Sequence, residues 1–176
     1  MKHEAYLALL FDQIRWVCEN LSTEEYQQPI CLLHGASIGK HLRHILDGFQ
    51  TVWQGNDERQ ISFDCRQREY SLESDPNAAI ERLNTLENDF STCDWQKKIF
   101  LQSDFSTEGE ERPFLTETTL QREMIYAIEH ALHHLFIIRI GVEQTFEVRF
   151  PSEFGVAPAT LRHLYQANLE KRYEKI

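Results

Sequence analysis

The sequence predicts an all-α fold, a bundle of four main helices with a short β-hairpin insertion and an additional C-terminal helix, in a single domain over residues 1–176. Three observations predict it. Four long stretches repeat apolar residues three and four apart, the period of a helix with one buried stripe. Capping residues stand at the head of several of those stretches. Finally, 41% hydrophobic and 26% charged residues with only 7 Gly and 5 Pro is the balance of a globular chain. At 176 residues the chain can bury roughly two-thirds of its unfolded surface in one core, and two domains would be cramped.

Leu7, Leu10, Ile14, Val17 and Leu21 place one stripe on a first helix from about Lys2 to Leu21. Ser22 with Glu25 offers a capping box for a short turn that Pro29 limits. A second helix begins near Ser37 and runs to about Gln54, with Ile38, Leu42, Ile45, Leu46, Phe49 and Trp53 inward and Gly55-Asn56 at its end. Asp75-Pro76 starts a third, the acid as N-cap and the proline in the first turn, followed by Ile80, Leu83, Leu86 and Phe90. The fourth, from about Thr118 to Val142, is apolar on most of its circumference and must be central. Between Trp95 and Glu117 the pattern changes to Ile99 and Leu101, then a polar turn over Ser106-Thr107-Glu108-Gly109-Glu110, which reads as a hairpin. After Gly141 the chain is loop through Phe150-Pro151, and Pro158 opens a last amphipathic helix with Leu161, Leu164, Tyr165 and Leu169. Trp16, Trp53 and Phe49 sit at helical spacing and read as core or cavity wall.

Charge narrows the function classes. Eighteen Lys and Arg against 28 Asp and Glu leave a net charge of -10, and no basic cluster offsets it, so a nucleic-acid backbone is repelled. The apolar run Ala5 to Phe11 is too short for a membrane span. Cys18, Cys31, Cys65 and Cys93 are widely spaced with no C-x-x-C, which disfavours a zinc knuckle or a thioredoxin-type site. Without an export signal, reduced thiols and a cytoplasmic location are the expectation. Cys65 beside Arg66 has a route to a lowered pKa, although a lone cysteine is more often a small hydrophobe.

The chemistry concentrates on the second and fourth helices. His130 and His134 are four apart, about 40° around a helix, so both rings can lean toward one point. Glu123, Tyr126, Ile137 and Gly141 share that face, whereas His133 points about 60° away. On the second helix His44 lies in the inward stripe, flanked at i-3 and i+3 by His41 and Asp47. His44, His130 and His134 would supply three neutral nitrogens to one divalent ion and leave positions open for water or substrate. Asp47, Glu123 and His41 are placed to orient ligating rings or relay a proton. The same rings can instead form a metal-free polar network, each satisfied by the others. A zinc-peptidase motif is absent, because Ala131 stands where H-E-x-x-H needs glutamate.

These residues carry a resemblance. The segment Ser37-Ile38-Gly39-Lys40-His41-Leu42-Arg43-His44-Ile45-Leu46-Asp47 resembles the second helix of the DinB-like superfamily of metal-binding four-helix bundles, and Glu129-His130-Ala131-Leu132-His133-His134 resembles its fourth. Phe150 through Pro158 resembles the closing segment of one uncharacterised branch. The resemblance implies a right-handed up-down-down-up bundle, a metal triad at His44, His130 and His134, and often a homodimer. Relatives include small-thiol-dependent transferases and the bundle domain of sulfoxide synthases in ergothioneine synthesis, so the resemblance implies a low-molecular-weight thiol as the small-molecule partner, with an anion the alternative that the arginine pair Arg66 and Arg68 suggests. Where that branch often has Asp-His after the second helix's histidine, this chain has Asp47-Gly48, so a further imidazole there is lacking.

A second constellation reads as substrate-binding. In Phe63-Asp64-Cys65-Arg66-Gln67-Arg68-Glu69 the residues Asp64, Arg66 and Arg68 alternate, so an extended backbone would project them to one side. Two guanidiniums in a row can clamp a carboxylate or phosphate, or they can form surface ion pairs with Glu69 and Glu73. Arg43, 100° from His44 by helical arithmetic of about 100° per residue, reads as packing or an ion pair. Two functions follow: an enzyme, a metal-dependent hydrolase or thiol S-transferase, or a non-catalytic metal-binding protein of stress response or sensing. Imidazole ligation leaves Zn, Ni, Mn and Fe all eligible.

Overall fold

In a computed structural model the protein is mostly helical with a small three-stranded sheet; residues 3–107 and 113–173 are described. Four long helices make its frame: α1 (His3–Asn20), α3 (Ile38–Gln54), α5 (Pro76–Phe90) and α6 (Leu120–Thr145). Shorter ones lie between or after them: α2 (Thr23–Gln27), α4 (Ser71–Ser74) and α7 (Pro158–Tyr173). The strands are β1 (Gln60–Ile61), β2 (Lys98–Ser103) and β3 (Phe114–Thr119).

The caps read from the sequence form. Ser22 and Glu25 make the reciprocal capping box of α2, the Ser37 hydroxyl accepts from the Lys40 amide at 3.1 Å, and Asp75 accepts from the Asn77 amide with Pro76 in the first turn. Each side chain satisfies an amide that the helix leaves without an internal partner. The expected hairpin pairs Lys98 with Thr119 through Ser103 with Phe114. The turn expected at Glu108-Gly109-Glu110 lies outside the described residues, as do Lys2 and the side chain of Leu169.

Three departures matter. β1 joins β2 in parallel, Gln60 opposite Phe100 and Ile61 opposite Leu101, so the hairpin is the larger part of a three-stranded sheet. A single turn of helix, α4, precedes α5. On α7 the predicted stripe is not covered, since Leu164 and Tyr165 are exposed.

α3 packs on α5 and α6, and α1 packs on the same two. Their inward faces share one core that runs from Leu7 to Phe154. At one end it is aromatic: Phe11, Phe49 and Phe90 meet at 5.2 to 6.4 Å between ring centroids, with Trp53 and Trp95 against Phe90. Trp16 is likewise structural, its ring tilted against that of Phe150 at 4.7 Å between centroids. Gly39 at the head of α3 is a close-approach position. A Cβ there would lie 2.1 Å from the Glu73 carbonyl oxygen and 2.5 Å from the Tyr26 ring, so only glycine lets α4 reach α3.

Two attachments set the register of α6, on which the site depends. At its start the Leu120 amide bonds the Lys97 carbonyl and Thr119 caps Arg122, so the hairpin feeds the helix directly. Further along, Arg139 donates to the carbonyls of Ser152 and Phe154, and Gly155, at φ +69°, sits against the Phe136 backbone. No described helix is long and apolar enough to cross a membrane.

Candidate metal centre

His41 and His44 project from α3 toward His130 and His134 on α6, where these two helices pack together. The one-turn spacing on α6 brings the two rings edge to face at 4.6 Å between centroids, and His44 lies 4.9 Å from His130 and 4.6 Å from His134. One ring nitrogen from each of the three lies within 4.8 Å of the others, an arrangement that can hold a metal ion. His133 is exposed and lies off this face, its ring at 5.8 Å from that of His134.

The donor set fits a divalent cation. His44 Nε2 and His130 Nε2 are 2.8 Å apart, so without an ion one must carry the proton that the other accepts. Ligands at about 2.0–2.1 Å around a tetrahedral ion stand roughly 3.3 Å apart, so the pair needs to open by about half an ångström, within reach of small side-chain rotations. Burial is the first cause lowering all three imidazoles: His44 falls to about 4 and His134 to about 3, and His130 falls as well. Neutral imidazole is the form that ligates.

The orientation of His134 is set from behind. Its Nδ1 is 2.9 Å from Nδ1 of His41, which leaves Nε2 to face the centre. A His134 ligating through Nε2 carries its proton on Nδ1 and donates it to His41, whose own proton then resides on Nε2. That Nε2 is buried with no hydrogen-bond partner among the described residues. An outer-shell imidazole of this kind fixes the ligand's tautomer and ring plane.

The other predicted site residues have distinct places. Asp47 is buried, accepts from Arg43 Nη1 at 2.8 Å and from the Glu69 amide, and burial raises its carboxyl above 3.8 while Arg43 opposes the rise. Arg43 also donates to Glu73 at 2.8 Å, so it is the ion-pairing residue that its angle on the helix implied. Glu123 is buried and accepts from Thr118 at 2.7 Å and from Arg122 at 3.4 Å, one end of α6 away from the rings.

The Asp64, Arg66 and Arg68 segment bends at residues 63–65, so the three do not line up as on a strand. Asp64 is exposed and accepts from the Asp104 amide at 2.9 Å. Arg68 is exposed and lines a polar cavity of about 540 Å³ with Asp47, Gln50, Glu69, Arg82 and Asp89. Arg66 is half-buried, and its charge lowers the pKa of His44 and His130 and is itself felt by Asp47. Glu69 and Glu73 are engaged by Arg82 and Arg43 respectively. Sequence reading did not foresee the aromatic wall: Tyr126 stacks on His130 at 5.9 Å and 17°, and Phe63 packs on Tyr126 at 5.2 Å. The signal available was the placement of Tyr126 one turn before His130.

All four cysteines are free. Burial pushes the Cys18 thiol up to about 12 and the Cys93 thiol to about 11, which makes both inert.

No family model and no solved structure matches the chain. An FK506-binding protein 5 of Rhizopus delemar is 30% identical to it over 110 residues, which cover 59% of this chain and 27% of that protein. The chain therefore spans about a quarter of the length of the curated relative it matches.

Proposed function

We propose that this is a metal-dependent enzyme of the DinB-like type, an up-down-down-up four-helix bundle in which His44, His130 and His134 hold one divalent ion, Zn, Ni, Mn or Fe. The observation that carries the reading is the convergence of three neutral imidazole nitrogens within 4.8 Å from two packed helices. Three protein ligands leave a coordination position for a reactant, and the ion there would act as a Lewis acid that lowers the pKa of water or a thiol. The reaction class is hydrolysis or thiol S-transfer, with a small molecule as substrate.

The chain's own residues divide the remaining work. His41 orients His134, and Tyr126 with Phe63 forms an apolar wall beside His130 that limits water. Asp47, Glu123 and His41 are the candidates to move a proton; of these His41 touches a ligand ring, and Asp47 is held by Arg43. Of the expected substrate contacts Asp64, Arg66 and Arg68, only Arg66 is assigned to this site, since Asp64 accepts from the Asp104 amide and Arg68 lines a separate polar cavity. A homodimer accords with the resemblance, and Ile125, Phe136 and Ile140 offer exposed apolar surface on α6 for self-association.

A second reading has its own support. An ion at this position would tie α3 to α6 and stabilise the frame without turning over a substrate, as in a stress or sensor protein. The first test is metal analysis of untagged protein purified without added metal. About one equivalent per chain is expected, and protein that stays empty after incubation with each of the four metals would overturn the reading. A fourth protein ligand in the loaded protein, read by X-ray absorption, would select the structural role.

A further inference from the structure

We infer that Arg66 receives the oxyanion of a small molecule whose other end engages the ion at His44, His130 and His134. The inference rests on the metal reading above and names the substrate class for that site: a small molecule with a metal-binding head and a carboxylate or phosphate.

The segment from Phe63 to Glu69 is fastened at both ends to the site. Phe63 packs on Tyr126, which stacks on His130. Six residues on, the Glu69 amide donates to Asp47, one turn beyond His44 on α3. Arg66 is the midpoint of this bridge and is half-buried, its charge felt by His44 and His130, while Arg68 turns to the separate polar cavity and Asp64 to the end of β2.

Among the described residues Arg66 has no ion pair or hydrogen bond. Its neighbours of either sign are committed. Arg43 holds Asp47 and Glu73, Arg82 holds Glu69, and Asp64 accepts from a backbone amide. A half-buried guanidinium presents five donors and loses much of its hydration, so leaving it unbonded is costly. The ion sharpens the point. Three neutral ligands leave its two positive charges uncompensated, and Arg66 adds a third in the same half-buried space. An anion lying between them removes the repulsion and takes the planar, two-pronged bond that arginine makes with oxyanions.

The test uses cobalt(II) as the ion and compares 3-mercaptopropionate with 2-mercaptoethanol, thiols of similar size of which only the first carries a carboxylate. Cobalt loading is read first, from its visible absorption, and thiol binding next, from the sulfur-to-cobalt charge-transfer band. Wild type should bind 3-mercaptopropionate at least ten times more tightly than 2-mercaptoethanol, and inorganic phosphate should compete with the former. Arg66→Gln should remove the preference and leave 2-mercaptoethanol within twofold of wild type. Arg68→Gln should keep it. Equal affinities in wild type, or a preference that survives in Arg66→Gln, would overturn the assignment of Arg66 and leave the metal site standing. Protein that gives no cobalt absorption at all would overturn both. If Arg66→Gln fails to load cobalt, Arg66→Lys decides, with a reduced preference expected and an undiminished one counting against the proposal.

Discussion

Arg43 and His44 are adjacent on α3, yet the polar clusters they belong to are completed differently. Arg43 gives its Nε to Glu73, its Nη1 to Asp47 and its face to the ring of Tyr70, and Asp47 takes a further bond from the Glu69 amide. Every charge in that cluster has a partner of the opposite sign within the chain. The histidine cluster has four imidazoles and no carboxylate bonded to any of them among the described residues. It pairs nitrogen with nitrogen, and one buried nitrogen of His41 has no partner. A cluster closed on itself is part of the scaffold. One whose nitrogens meet only other imidazoles has the donor set that can hold a metal ion.

The sharpest way to break this contrast is to remove one ligand. His130→Ala should lower affinity for zinc or cobalt by more than about 100-fold, beyond the ~10–100-fold that loss of an outer partner costs. Its stability without metal should change by less than about 1 kcal/mol, since the site is half-exposed and contributes little packing. Isothermal titration and urea unfolding in chelator read the two effects separately. An unchanged metal affinity would mean that the histidines are a polar network like their neighbour.

The reverse pattern is expected of Asp47→Ala. Arg43 and Asp47 have side chains 10% and 5% exposed, so the variant strands a buried guanidinium with Glu73 as its remaining carboxylate. Breaking such a pair costs about 3 kcal/mol, at the lower end of the range because Glu73 remains. Urea unfolding with chelator present should register that loss, while metal affinity of the folded protein stays within about threefold. Were Asp47 essential to holding the ion, affinity would fall with stability.

His41→Ala falls between the two. Loss of the Nδ1 contact frees His134 to rotate and to change tautomer, which should cost about 10-fold in affinity with the donor set unchanged. His41→Asn should restore most of it, because its side-chain oxygen can accept from Nδ1 of His134. Equal losses in both variants would show that His41 acts by packing alone.

Much of this contrast was legible in the sequence, and the reasons are local. Ser22, Ser37 and Asp75 cap helices through amides two or three residues away, so their roles need no knowledge of the fold. The spacing of His130 and His134 fixes a shared face, and the inward stripe of the second helix includes His44. What escaped is non-local or short. β1 is two residues long and exists by pairing with Phe100 and Leu101, some forty positions away, with no alternating run of its own. The alternation of Asp64, Arg66 and Arg68 presupposes an extended backbone, and the bend at 63–65 removes it. The α7 stripe was visible, but nothing in a periodicity says whether a partner element will cover it.

Acidity should give the most diagnostic difference. Burial lowers His44 to about 4 and His134 to about 3 from an unfolded value of 6.5, so between those limits the unfolded chain binds protons that the native one refuses. Stability of the metal-free protein therefore stands at its full value above pH 6.5 and declines as pH falls toward 4. Asp47 works in the opposite direction: its raised carboxyl gains a proton first in the native state, which favours folding as pH drops toward 3.8. The histidine effect is thus cleanest from pH 6.5 to 5, where the urea midpoint should fall steadily, and less steeply in His134→Gln. Metal affinity of the native protein should meanwhile vary little over that interval, because imidazoles that are already neutral have no proton to release. A tenfold loss of affinity per pH unit beginning at 6.5 would show ordinary, exposed histidines, and with them a cluster that differs from its arginine neighbour only in composition.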